Sequence, residues 1–143
     1  MNSINLKFTI PDDDFTRAGE ASSEIKNKLK QMGIAPDVIR NVSIATYEGE
    51  INTVIHANGG EIFVTVDPEK ITVIISDTGA GIPDISLAMQ EGYTTAPDDV
   101  RSLGFGAGMG LPNMKKYSDG FDIQSTVGSG TTVTMTFFLN KAV

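Results

Sequence analysis

The chain has 143 residues, the size of one ordinary domain, and its 40% apolar and 20% charged residues suit a globular protein with one sizeable core. A formal charge of −7 argues against nucleic acid and against an anionic membrane surface as partners, since both need a basic face. No apolar run approaches the roughly 18 residues of a spanning helix, and the absence of cysteine excludes disulfides and thiolate metal sites. The N-terminus alternates apolar and polar residues and lacks the regions of a signal peptide, so the cytoplasm is the expected compartment.

In chain order, alternation over residues 4–11 predicts a half-buried strand. Asp12, Asp13 and Asp14 offer N-caps for a helix over residues 15–32, with Gly33 as its C-cap. Pro36 opens a second helix, expected to run to about Ala57, and Asn58-Gly59-Gly60 ends it. Strands over residues 61–67 and 70–77, joined through Pro68-Glu69, form a hairpin. Residues 78–110 are rich in Gly, Pro, Thr and Asp, with a short helical piece around 86–90; a stretch this long is functional or mobile. A helix from Gly110 to about Ser118-Asp119-Gly120 follows. Two last strands, residues 121–126 and 131–139, flank Val127-Gly128-Ser129-Gly130. Hairpins clustered beside helices predict an α+β fold with helices on one face of a mixed, mostly antiparallel sheet.

On the second helix, Ile44, Ile51 and Ile55 fall nearly on one line, with Tyr47 and Val54 alongside, and read as the core-facing stripe. Glu48, Asn52 and His56 stack at i, i+4 and i+8, roughly 40–120° from that line, and so border the buried face. Glu50 projects about 160° from Glu48 and reads as solvated. The stripe is either a routine polar edge or a site. As a site, Asn52 would offer a carbonyl oxygen to Mg²⁺, a hard cation, and Glu48 would order a water or accept a proton. His56, the only histidine, is expected to cap the last turn.

Asp77-Thr78-Gly79-Ala80-Gly81-Ile82 follows a strand directly. Its glycines let backbone approach a flat ligand, and the Asp77 carboxylate suits an exocyclic amine such as that of adenine; an ordinary Asx-capped turn fits the same residues. Gly104-Phe105-Gly106-Ala107-Gly108-Met109-Gly110-Leu111 runs into a helix, where freed amides and the helix N-terminus favour an anion. Arg101, Lys115 and Lys116 lie near enough in sequence for any of them to meet phosphate, but the solvated surface is the expected place for each. Neither glycine cluster matches a dinucleotide fingerprint or a P-loop.

Taken together, Glu48-x-x-x-Asn52, Asp77-x-Gly79-x-Gly81, Gly104-x-Gly106-x-Gly108-x-Gly110 and Gly128-x-Gly130-Thr131 occur in this order. The series resembles the ATPase superfamily of histidine kinases, gyrase B, the ninety-kilodalton heat-shock chaperone and MutL (the GHKL superfamily), over about residues 15–138. The resemblance implies a two-layer α/β sandwich of the Bergerat type, one domain over residues 1–143, with ATP held under a flexible lid. It implies Glu48 as general base or water-ordering acid, Asn52 as the Mg²⁺ ligand, and Asp77 as the adenine reader on a turn supported by Gly79 and Gly81. Gly106, Gly108 and Gly110 would contact phosphates, and Thr131 would join the network around Asp77. Ile82, Gly104, Met109 and Leu111 complete the nucleotide-binding set.

The chain has no segment matching a transducer domain, and its histidine lies inside the Asn52 helix rather than on a phosphoacceptor hairpin. What remains is similar to the stand-alone anti-sigma-factor serine/threonine kinases and switch kinases of bacteria. That similarity implies a kinase acting on a small antagonist protein, exchange with a sigma factor or other regulator, and a homodimer. An ATP-dependent binding module without phosphotransfer is the alternative. Gly49 departs from helix preference, costing up to about 1 kcal/mol, and points to close approach of a ligand or another helix. The segment 91–97 has no clear counterpart in the family.

Overall fold

A computed structural model describes residues 3–10, 17–57, 59–90 and 110–139. Five strands form one sheet: β1 (Ile4–Ile10), β2 (Gly60–Val66), β3 (Lys70–Asp77), β4 (Gly120–Thr126) and β5 (Gly130–Phe138). Their spatial order is β1-β2-β3-β5-β4, and every neighbouring pair is antiparallel. The side-chain period of two then sorts the faces. Ile62, Val64, Ile71, Val73, Ile75, Val133, Met135 and Phe137 are buried on one face. Thr65, Thr72, Ser76, Thr132, Thr134 and Thr136 line the other, with Phe63 exposed among them. The β2–β3 turn is held by Asp67 Oδ1, which accepts from the Glu69 and Lys70 amides at 2.8 and 2.9 Å; these two bonds hold the Asp67 carboxyl below its ordinary range.

The buried face is covered by α1 (Glu20–Gln31), α2 (Pro36–His56) and α4 (Gly110–Tyr117), while a short α3 (Ile85–Ala88) is capped by Asp84, whose Oδ1 accepts from the Leu87 amide. Ile25 and Leu29 of α1, Val38, Val42, Ala45 and Val54 of α2, and Leu111 and Met114 of α4 join the inner sheet residues in one core. The helix α1 ends in a Schellman motif: the Gly33 amide bonds the Lys30 carbonyl and the Ile34 amide the Leu29 carbonyl. Gly33 adopts φ 77, which only glycine takes without penalty.

Three expectations from the sequence are corrected. Helix α1 begins at Glu20, not near residue 15, with Gly19 as N-cap and no capping side chain of its own; Asp12–Asp14 lie outside the described residues. The core stripe of α2 matches the expected line only in part: Ile51 and Val54 are buried as expected, but Ile44 and Ile55 are half-buried and Tyr47 is exposed, while Val38, Val42, Ala45 and Gly49 also face inward. The cause is that α2 is packed on both sides, by α1 and by α4, with β3 beneath, so its buried arc is wide and turned from the isoleucine line. Glu50 is consequently not solvated but 1% exposed. Gly49 marks the closest approach: a β-carbon there would collide with Ile75 Cδ1 of β3 and stand 3.1 Å from Met114 Sδ of α4. The close approach expected at Gly49 is thus to protein.

Candidate functional site

The contact at Gly49 fixes where α4 begins. With α2 and α4 in contact through Met114, the first residue of α4 lies beside the polar stripe of α2. A β-carbon on Gly110 would stand 3.8 Å from Glu48 Oε2 and 3.9 Å from Asn52 Oδ1. Two oxygens on adjacent turns of α2 and the N-terminus of α4, with its unpaired amides, therefore meet at one point. Both side chains are half-buried, and the Asn52 amide has no hydrogen-bond partner among the described residues.

Burial raises the Glu48 pKa above the ordinary carboxylate range, and a side-chain hydrogen bond with Asn113, one turn into α4, pulls it partly back. The result is a carboxylate more basic than one in water. Sequence reasoning missed Asn113; its signal was its place three residues after Gly110, on the face that returns toward α2.

The C-terminal turns of α2 carry the chain from this point to the Asp77 turn. A β-carbon on Gly60 would stand 3.0 Å from Thr53 Cγ2 and 3.3 Å from Asp77 Cβ, and one on Gly79 would stand 2.8 Å from Ala57 Cβ. Asp77 Oδ1 accepts from the Gly79 amide at 2.9 Å and from the Thr131 amide at 3.2 Å. The Asx-turn alternative is thereby realised on one oxygen. Both bonds fall on Oδ1, and Oδ2 has no partner among the described residues.

The glycines of this turn are pressed by protein. A β-carbon on Gly81 would collide with the Thr126 carbonyl, and one on Gly130, at φ 127, with the Asp77 carbonyl. Gly130 must be glycine on both counts. Ser125 ties the two loops together: its Oγ accepts from the Ile82 amide at 2.7 Å, donates to the Gly130 carbonyl at 3.2 Å, and lies 2.9 Å from Thr131 Oγ1. Ser125 is a second residue whose role sequence reasoning did not find. The Gly128 amide adds a bond to the Ala80 carbonyl at 2.8 Å.

The structure thus brings Glu48, Asn52 and Gly110 together at one end, and Asp77, Gly79, Gly81, Ile82 and Thr131 at the other. Leu111, expected in the nucleotide set, is 7% exposed and has its side chain in the core, leaving only its first-turn amide for an anion. Gly104, Gly106, Gly108, Met109, Arg101 and the segment 91–97 lie outside the described residues, as does the His56 side chain. Lys115 and Lys116 are exposed, as expected.

The site fits a magnesium–nucleotide pair better than a cage-bound metal. Among the described residues no three His, Asp or Glu side chains gather as a ligand cluster. Mg²⁺ is commonly held by one or two protein oxygens plus waters and phosphates, which the Asn52 and Glu48 oxygens can supply. No described helix is long and apolar enough to cross a membrane.

Comparison with known proteins agrees with the fold and gives the family. Residues 37–141 match the family model described as histidine kinase-, DNA gyrase B-, and HSP90-like ATPase. An anti-sigma F factor of Bacillus licheniformis is 30% identical, over 99% of this chain and 95% of its own. Another, from Caldanaerobacter subterraneus subsp. tengcongensis, is 34% identical over 72% of each. A third, from Clostridium acetobutylicum, is 31% identical over 94% and 92%. A crystal structure of the RsbU and RsbW domains of a Mycobacterium tuberculosis protein superposes with a TM-score of 0.63 at 15% identity, over all of this chain and 34% of that one, and shares the fold. A match over the greater part of its length, in a chain that folds as a helix-covered antiparallel sheet, places this protein in the family of histidine kinase-, gyrase B- and HSP90-like ATPases.

Proposed function

We propose that the chain binds Mg·ATP and transfers its γ-phosphoryl group to a serine or threonine of a small antagonist protein, and that it controls transcription by exchanging that antagonist for a sigma factor. The observation that carries the proposal is the meeting of Glu48 Oε2 and Asn52 Oδ1 at the N-terminus of α4. The relatives' shared name, anti-sigma F factor, supports the partner class.

In this reading the Asp77 carboxylate uses its unpartnered Oδ2 to accept from the adenine amine, while Oδ1 holds Gly79 and Thr131 in place. Gly81, Ile82 and Ser125 keep that turn rigid against the β4–β5 hairpin. Asn52 offers Oδ1 to the metal, and the amides of Gly110 and Leu111 face phosphate at the positive end of α4. ATP, when bound with its Mg²⁺, supplies the phosphoryl group and the charge neutralisation for its transfer. Glu48 accepts the proton of the attacking hydroxyl; its raised pKa suits that task, and Asn113 orients the carboxylate.

Incubation with γ-labelled ATP and the antagonist should label the antagonist. Glu48→Ala should abolish labelling while nucleotide still binds. A wild-type protein that binds ATP and exchanges partners without ever transferring phosphate would refute the kinase and leave the binding-module alternative.

A further inference from the structure

Outside the nucleotide site, the α1–α2 hairpin holds a feature that neither the core nor the proposed chemistry uses. A groove of about 480 Å³ runs between the C-terminal half of α1 and the N-terminal half of α2, lined by Lys26, Lys30, Ile34, Pro36, Ile39, Arg40, Ser43 and Ile44. Its floor is apolar: Ile39 is buried, Ile34 and Ile44 are half-buried, and Pro36 is exposed. The Schellman turn fixes Ile34 in place by the Ile34 amide bond to the Leu29 carbonyl. Ile44 lies here because α2 is rotated away from the isoleucine line, which leaves a large aliphatic side chain only partly covered.

The charge of the groove opposes that of the whole protein. The chain carries −7, yet the lining includes Lys26, Lys30 and Arg40 and, among the described residues, no carboxylate. All three cations are exposed. The ion pairs among the described residues, Lys7–Glu61 and Arg17–Glu20, involve none of them. Lysines near the C-terminus of α1 also favour its dipole, but that does not account for Arg40, which sits in the second turn of α2.

We infer that this groove docks an acidic amphipathic helix of a partner protein, its apolar seam on Ile34, Ile39 and Ile44 and its flanking carboxylates on Lys26, Lys30 and Arg40. Two antiparallel helices present a groove into which a third helix packs by its ridges, and an apolar floor with a cationic rim selects an apolar seam bordered by Asp or Glu. The charge governs choice of partner and speed of encounter, and the isoleucines supply the buried area. The groove ends at Ile44, one helical turn before Glu48, so a docked helix runs alongside the end of α2 that carries the proposed chemistry. The inference rests on the groove itself and stands whether or not nucleotide binds.

The test uses the full chain without nucleotide. The probe is a synthetic helical peptide of about 18 residues with a leucine seam flanked by glutamates; its control has lysine at every glutamate. Isoleucine methyl shifts and fluorescence anisotropy read the site and the affinity. The glutamate peptide should bind at least about tenfold tighter than the lysine peptide, weaken with added salt, and shift the methyls of Ile34, Ile39 and Ile44. The triple variant Lys26→Glu, Lys30→Glu, Arg40→Glu should invert the preference, an outcome that misfolding cannot mimic. Ser43→Trp, which fills the groove without altering charge, should abolish binding of both peptides. Equal affinity for the two peptides, no binding of either, shifts centred elsewhere, or broadening of the same methyls with protein concentration alone, as a second copy would cause, overturns the inference.

Discussion

Glu50 provides the sharpest test of how this fold is held. Its buried carboxylate comes from the middle of α2 and accepts three backbone amides at the start of α1: Gly19 at 3.0 Å, Ala21 at 3.3 Å and Ser22 at 3.1 Å. These are the cap and the second and third positions of a helix that lacks a capping side chain of its own. An N-cap is worth about 1 kcal/mol and up to about 2, and a hydrogen bond to a charged group about 1.5–3. Glu50→Ala removes all three acceptor contacts and leaves a small void. Part of the loss is recovered where the first turn frays into water, so the contributions do not sum fully. A destabilisation of about 3 kcal/mol is expected, lowering Tm by about 10 °C for a chain of this size. Glu50→Gln keeps the shape but turns an amide group toward the helix amides, and should cost about half as much. Urea unfolding followed by circular dichroism measures both, and hydrogen exchange at Ala21 and Ser22 should accelerate in Glu50→Ala ahead of the β3 core. A Glu50→Ala protein within about 0.5 kcal/mol of wild type would refute the reasoning.

Gly130→Ala should destabilise by about 2–3 kcal/mol, because φ 127 disfavours a side chain and the new β-carbon meets the rigid Asp77 carbonyl; the same urea titration checks it, and ATP affinity should fall with it. Glu48 is predicted to make stability pH-dependent. Because burial raises its pKa, the native state binds a proton that the unfolded state has lost, so its contribution to stability declines as pH rises from the ordinary carboxylate range through the raised value. Glu48→Gln should therefore be more stable than wild type at about pH 7 and equal to it at about pH 4, as measured by unfolding midpoints at both.

Much of this was legible in the sequence, for local reasons. The strand alternation, Pro36 at the start of α2 and Gly33 at the end of α1 each encode their element within a few residues. What was illegible depends on partners far along the chain. The start of α1 is set by Glu50, 28 to 31 residues away, so counting local aspartates placed it too early. The angle of Glu50 from Glu48 reads as solvent-facing, and only the packing of α2 between α1 and α4 turns Glu50 inward. Within the candidate site, the glycine turns and the Glu48–Asn52 pair were visible by spacing. Asn113 and Ser125 were not, because an amide in a short helix and a serine in a strand carry no pattern until the fold sets them beside Glu48 and Ile82.

Titration calorimetry with Mg·ATP, on the wild type and on Asn52→Ala and Asp77→Asn, tests the central claim most directly. The wild type should bind one ATP per chain, Asn52→Ala should lose the metal-dependent part of the affinity, and Asp77→Asn should lose preference for adenine over guanine nucleotides. A folded wild-type protein that gives no binding heat at any accessible temperature, or binds equally well after all these changes, would contradict it.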